Sequence, residues 1–132
     1  MRQIIVFACM IVLVTCAACA GSTTGSPTAD ASITGDTTRG AALFTQSVNG
    51  APSCSTCHTL DGSTLVGPSL KGFAAVASTR VAGMSAADYA HNSVMQPASY
   101  IVSGFPNLMY GQYAQQLNPQ QIADLVAYLL TL

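Results

Sequence analysis

The stretch CSTCH, residues 54–58, limits what this chain can become more than any other feature. Two cysteines lie three positions apart, and a histidine directly follows the second. Such a set can bind a metal ion, form a disulfide or attach a haem.

A structural zinc site needs four ligands, and Cys54, Cys57 and His58 supply only three. The other histidine, His91, has no cysteine near it. A thioredoxin-like redox pair is expected in a βαβ setting, which the sequence does not suggest, and a structural disulfide is a further alternative. C-x-x-C-H is the signature of c-type haem attachment, in which the thiols join the porphyrin and the histidine reaches the iron. The motif therefore favours one covalent haem c over these alternatives.

The N-terminal residues predict export. Arg2 precedes an apolar run that is shorter than the roughly 20 residues a spanning helix needs. Small residues ahead of Cys19 resemble the lipidation site of a bacterial lipoprotein. We predict a signal peptide at residues 1–18 and a lipid on Cys19 rather than Cys16, which place the chain on the periplasmic face of the cell membrane. A short uncleaved membrane anchor is the alternative.

The chain divides after this segment into a linker and one domain. Residues 19–36 are mostly small and polar, which predicts a lipidated cysteine followed by a flexible linker. The folded domain is predicted over residues 37–132, and its only cysteines are Cys54 and Cys57.

Three segments of the domain predict helices. The first follows Thr37 or Thr38 as N-cap, and the second follows Ser85 and ends near Pro97. Asn118 caps the third, with proline at the first helical position. Its apolar positions recur at helical spacing: Ile122, Leu125, Val126 and Leu129.

No alternating strand pattern extends over any length, so the predicted class is all-α. A domain of this size with only short helices buries little apolar surface by itself. A large apolar cofactor at its centre would supply the missing core. We therefore expect three to five short helices wrapped around one covalently bound haem.

Together these features resemble the class I c-type cytochromes. The resemblance rests on a helix ahead of CSTCH, then GPSL, a methionine-bearing loop and the closing helix IADLVAYL. It implies that the carbonyl of Pro68 accepts a hydrogen bond from His58, a contact that orients a metal ligand. It also implies that the helix around Gly40 crosses the C-terminal helix around Leu125.

The resemblance places the second axial iron ligand at Met109, in the loop GFPNLMYGQY before the last helix. Many relatives have proline after this methionine, whereas here Tyr110 follows. Met84, Met95 and His91 are the other candidates, and their helical or capping positions favour packing or surface roles.

Two axial ligands from the protein imply single-electron transfer rather than enzymatic catalysis. The alternative is a haem-based sensor, or a ligand-binding or peroxidase-like haem protein with a displaceable sixth ligand. A structural assembly subunit with a haem core also stays open.

Charge limits the partners. Charged residues make up 7% of the chain, against about 25% in an average protein. Beyond residue 18 the net side-chain charge is -2, so we expect no nucleic-acid partner and weak long-range steering. No small-molecule substrate is expected.

The loop PASYIVSGFPNLM is similar to cytochrome c modules of terminal oxidases and alternative complex III. Expected partners are a quinol-oxidising complex, a terminal oxidase or a reaction centre.

Overall fold

The structure, a computed structural model, describes residues 33–132. The predicted signal peptide, Cys16, Cys19 and most of the predicted linker lie outside these residues. Five helices follow one another along the described chain: α1 Thr37–Thr45, α2 Phe73–Arg80, α3 Ala86–Met95, α4 Tyr113–Gln116 and α5 Pro119–Leu129. Two short 3-10 turns, Cys54–Thr56 and Pro97–Ser99, stand between them. No strand forms within residues 33–132, so the all-α class is confirmed.

Local capping explains where the predicted helices begin. The Asn118 side chain accepts from the Gln121 backbone at 2.9 Å and Gln121 reciprocates, so α5 starts as predicted. Ser85 accepts from the Asp88 backbone at 3.1 Å and caps α3. The prediction for α1 was wrong by a residue or more, because Asp36, not Thr37 or Thr38, accepts the capping hydrogen bond.

Helix α1 crosses α5, as expected, and this is the most extensive helix–helix contact in the described domain. A Cβ on Gly40 would lie 2.0 Å from the backbone oxygen of Asp124, so only glycine fits. The rings of Phe44 and Tyr128 then pack with their centroids 5.7 Å apart. The crossing brings the start of the domain against its last helix.

Helices α2 and α4 were not predicted from the sequence. The first packs against α3, and its Phe73 and Ala77 are buried. The second is a single turn whose Tyr113 is buried. None of the described helices is long and apolar enough to cross a membrane.

A single buried cluster joins these elements. It draws on all five helices and on the loop before the first 3-10 turn: Phe44, Ala51, Phe73, Ala77, Tyr89, Ala90, Val94, Tyr113, Leu117, Ile122, Leu125 and Leu129. Several of its members also form one wall of a large cleft, which contains the candidate site.

Candidate functional site

The 3-10 turn at residues 54–56 brings the three side chains of CSTCH to one wall of the cleft. The Cys54 carbonyl accepts from the backbone of Cys57 at 3.1 Å and of His58 at 3.0 Å. This tight turn lets both thiols and the imidazole line the same cavity. The thiols are half-buried and not joined to each other, and burial raises the pKa of the Cys54 thiol to about 11.

The loop after His58 folds back to orient its ring. His58 Nδ1 lies 2.8 Å from the carbonyl oxygen of Pro68. A carbonyl can only accept, so Nδ1 carries the proton and Nε2 keeps a lone pair for a metal ion. Backbone hydrogen bonds from Gly67 to Cys57, at 2.9 Å, and from Leu70 to Thr59, at 2.8 Å, bracket this contact.

Gly67 lies against the His58 ring. A Cβ at this position would be 2.5 Å from Cε1 of the imidazole and 2.9 Å from Nδ1. Any side chain here would therefore push the ring away from the Pro68 carbonyl. The Gly-Pro pair at residues 67–68 fixes both the position and the tautomer of the histidine.

The second predicted ligand, Met109, lies far from His58 in the sequence but lines the same cleft. Met109 lines the cavity, whereas none of Met84, Met95 and His91 does. Met84 accepts a long contact from the Asn92 amide, with 3.8 Å between nitrogen and sulfur. Met95 packs against the buried cluster, and His91 is exposed. The structure therefore brings Met109 together with His58 and leaves the other three candidates elsewhere.

The cleft has a volume of about 940 Å³, including the solvent at its mouth. Its walls are mainly apolar, and no Asp, Lys or Arg among the described residues lines it. Large apolar cavities with a few placed polar groups are typical of cofactor sites. Two thiols, an oriented imidazole and a thioether facing one apolar space fit a covalently attached haem well.

Sequence reasoning missed the polar groups of the cleft and one of its aromatic walls. Tyr89, Ser93, Tyr100 and Asn107 line the cavity beside the predicted ligands. The Tyr89 ring packs 6.0 Å from Phe73 of α2 and 5.7 Å from Tyr100, and burial raises its pKa. The alanine-rich run after Gly72 was the signal that could have revealed α2 and hence this wall.

The described part of the chain holds no cluster of three or more His, Cys or Asp side chains arranged to bind a metal ion among themselves.

Residues 37–132 match the family model for cytochrome c. No curated protein matches the chain significantly.

Proposed function

Because this chain belongs to the cytochrome c family, we propose that it carries single electrons between membrane-associated redox partners, with His58 and Met109 as axial ligands of its haem iron. The observation that carries this proposal is that both side chains line one apolar cleft together with Cys54 and Cys57. Family membership itself implies a covalently bound haem c and a role in electron transfer.

When bound, the haem supplies one-electron exchange between Fe(II) and Fe(III). Cys54 and Cys57 hold it covalently, and the Pro68 carbonyl keeps the proton on Nδ1 of His58 so that Nε2 can ligate. A thioether from Met109 and an imidazole from His58 as ligands would raise the reduction potential of the iron, and the apolar walls would keep water away from it. Since His58 and Met109 would both ligate the iron, no coordination position would stay open for a substrate, which supports electron transfer rather than catalysis as the role of this chain.

Visible absorption of the full chain, produced with c-haem maturation, tests the ligand assignment. We expect wild type to be low-spin with a thioether-to-iron charge-transfer band when oxidised, and Met109→Ala to lose that band. Met95→Ala is the matched control and should keep it, because Met95 does not line the cleft. A high-spin wild type, or a Met109→Ala spectrum identical to wild type, would sink the proposal.

The proposal includes a lipid tether at Cys19 that holds the domain at the periplasmic face. Its support within the described residues is the point where the chain enters the domain. The Thr34 carbonyl accepts from the Gln120 side chain at 2.9 Å, and the Asp36 backbone donates to Asp124 at 2.7 Å. None of these residues lines the cleft, so the described chain enters the domain at a point outside the cleft lining.

Membrane fractionation tests this tether. Cys19→Ser should release the holoprotein from the membrane fraction, while Cys16→Ser should stay bound. Membrane retention of Cys19→Ser would overturn the assignment.

The mouth of the cleft indicates how partners bind. Val66, Ile101 and Leu108 line the cleft, and Leu65 lies beside Val66 and Leu108 in the shallow depression that adjoins it. We call these four aliphatic residues the apolar rim; each is more than 40% exposed. The described residues around the rim, from Thr64 to Val66 and from Gly104 to Leu108, carry no charge. An electron leaving the cleft by this route crosses an uncharged surface. This surface supports the proposal that the partner is a membrane-associated redox protein with an apolar docking face, such as a quinol-oxidising complex, a terminal oxidase or a reaction centre.

A lipid tether supplies the high effective concentration that charge steering cannot. The same arrangement suits a fixed subunit of a respiratory complex. In either case the electron-transfer rate should vary little with ionic strength.

A further inference from the structure

The Met109 side chain reaches the cleft from a segment with little backbone support. A tight turn precedes it, in which the Leu108 N–H donates to the Pro106 carbonyl at 3.0 Å. Within residues 33–132, neither Met109 nor Tyr110 makes a backbone–backbone hydrogen bond. Side-chain packing must therefore determine where the thioether lies.

The residue directly after Met109 provides such packing. The Tyr110 ring lies edge-on to the Tyr113 ring, with centroids 5.1 Å apart and planes at 75°. This is a favoured aromatic geometry. Tyr110 is half-buried against the core, while its hydroxyl donates to the exposed Gln112 side chain at 3.2 Å. The ring, rather than the hydroxyl, therefore makes the buried contact.

Tyr113 is itself fixed to the attachment segment. It is 7% exposed, and its hydroxyl donates to the Pro52 carbonyl at 3.0 Å. Burial raises the Tyr113 pKa, so the phenol stays protonated and keeps donating. Pro52 lies two positions before Cys54. A continuous set of contacts thus runs from the backbone after Met109, through two tyrosine rings, to the segment that carries the first thiol.

We propose that Tyr110 and Tyr113 are positioning residues that hold Met109 in the cleft. They do so by tying the methionine loop to the Cys54 segment, across 61 positions of the chain. Neither tyrosine lines the cleft, so both act through Met109. The inference rests on the proposed function, in which Met109 is an axial ligand.

Competition with an added ligand measures how firmly Met109 is held. Imidazole is titrated into the oxidised holoprotein, and binding is followed by the loss of the thioether-to-iron band. We expect Tyr110→Ala to bind imidazole about twofold to tenfold more tightly than wild type, the range expected from losing one such aromatic pair. Tyr110→Phe keeps the ring and should stay within about twofold of wild type.

Tyr113→Phe provides a second variant with less risk to folding. It removes only the hydroxyl that donates to Pro52 and should shift imidazole affinity in the same direction as Tyr110→Ala, by a smaller factor. Tyr128→Ala is the matched control, because Tyr128 is a half-buried member of another aromatic pair and, unlike its partner Phe44, does not line the cleft. It should lower thermal stability and leave imidazole affinity unchanged.

Met109→Ala, measured in parallel, separates two kinds of failure. If Met109→Ala loses the band while Tyr110→Ala and Tyr113→Phe bind imidazole as wild type does, the positioning role is wrong and the ligand assignment stands. If Tyr128→Ala shifts affinity as much as Tyr110→Ala, the effect is general destabilisation and the positioning role is again wrong. If Met109→Ala keeps the wild-type spectrum, the proposed function fails first.

Discussion

The α1–α5 crossing and the mouth of the cleft differ in the kind of side chains they present. At the crossing, Asp124 is only 2% exposed and accepts hydrogen bonds from the Asp36 backbone, from Gln120 and twice from Arg39. At the mouth, Leu108 is 65% exposed, and the surrounding described residues carry no charge.

This difference implies that the residues that stabilise the fold are distinct from those that contact a redox partner during electron exchange. Within residues 33–132, hydrogen bonds that hold the start of the domain against its last helix meet at Asp124, a buried carboxylate with four donors that does not line the cleft. The mouth instead presents apolar surface without charged groups, which suits brief contact with a partner. Changes at the crossing should therefore affect folding, and changes at the rim should affect electron exchange.

The largest effect is expected from Asp124→Asn. It removes a buried charge that four hydrogen-bond donors face, and we expect the free energy of unfolding near neutral pH to fall by about 1–3 kcal/mol. Hydrogen bonding from Arg39 holds the pKa of Asp124 well below its usual range. Because the folded-state pKa is lowered, this stabilisation is complete above the ordinary aspartate pKa of 3.8 and disappears as pH falls toward the folded-state value.

Chemical denaturation of the holoprotein at several pH values measures this effect. The difference in the free energy of unfolding between wild type and Asp124→Asn should become steadily smaller as the pH is lowered below about 4. Asp88→Asn, at an exposed aspartate, is the control and should change stability less. If the difference in the free energy of unfolding does not depend on pH, the charge on the Asp124 carboxylate does not stabilise the crossing.

A smaller effect is expected at the apolar rim. Leu65→Ser should slow second-order electron transfer to a membrane redox partner by roughly threefold to tenfold, as for truncation of a contact residue at an interface. Ile33→Ser is the matched control: Ile33 is 52% exposed and Leu65 54%, but Ile33 lines neither the cleft nor the adjoining depression in which Leu65 lies beside Val66 and Leu108. Folding stability should be nearly unchanged in both variants.

The dependence of the electron-transfer rate on ionic strength also tests docking through the apolar rim. Between about 0.01 M and 1 M salt the screening length falls from roughly 30 to 3 Å, which strongly slows charge-steered encounters. We expect the wild-type rate to change little over this range. A steep salt dependence, or equal slowing by Ile33→Ser and Leu65→Ser, would contradict docking through the apolar rim.

The predictable parts of the fold were those with short-range signals. Asn118 and Pro119 start α5 where their side chains require, because capping depends on residues within one turn. The start of α1 was misplaced because Asp36 competes with the threonines that follow it, and its backbone is fixed by Asp124, 88 positions away. Helices α2 and α4 lack a side-chain capping hydrogen bond, so neither has the start signal that marks α3 and α5. The alanine-rich run is the only local signal for α2, and α4 is decided by packing.

The sequence by itself determined the chemistry of the site: two thiols and an imidazole in one pentapeptide, which predicts covalent haem attachment. It also determined the all-α class, since helical periodicity and capping are local. Only the tertiary structure decided which methionine reaches the cleft, because Met84, Met95 and Met109 differ in what packs around them and not in their side chains. It also decided that Gly67 must lack a side chain beside His58 and that two tyrosines connect the methionine loop to Pro52. Such contacts join residues far apart in the chain, where no local pattern records them.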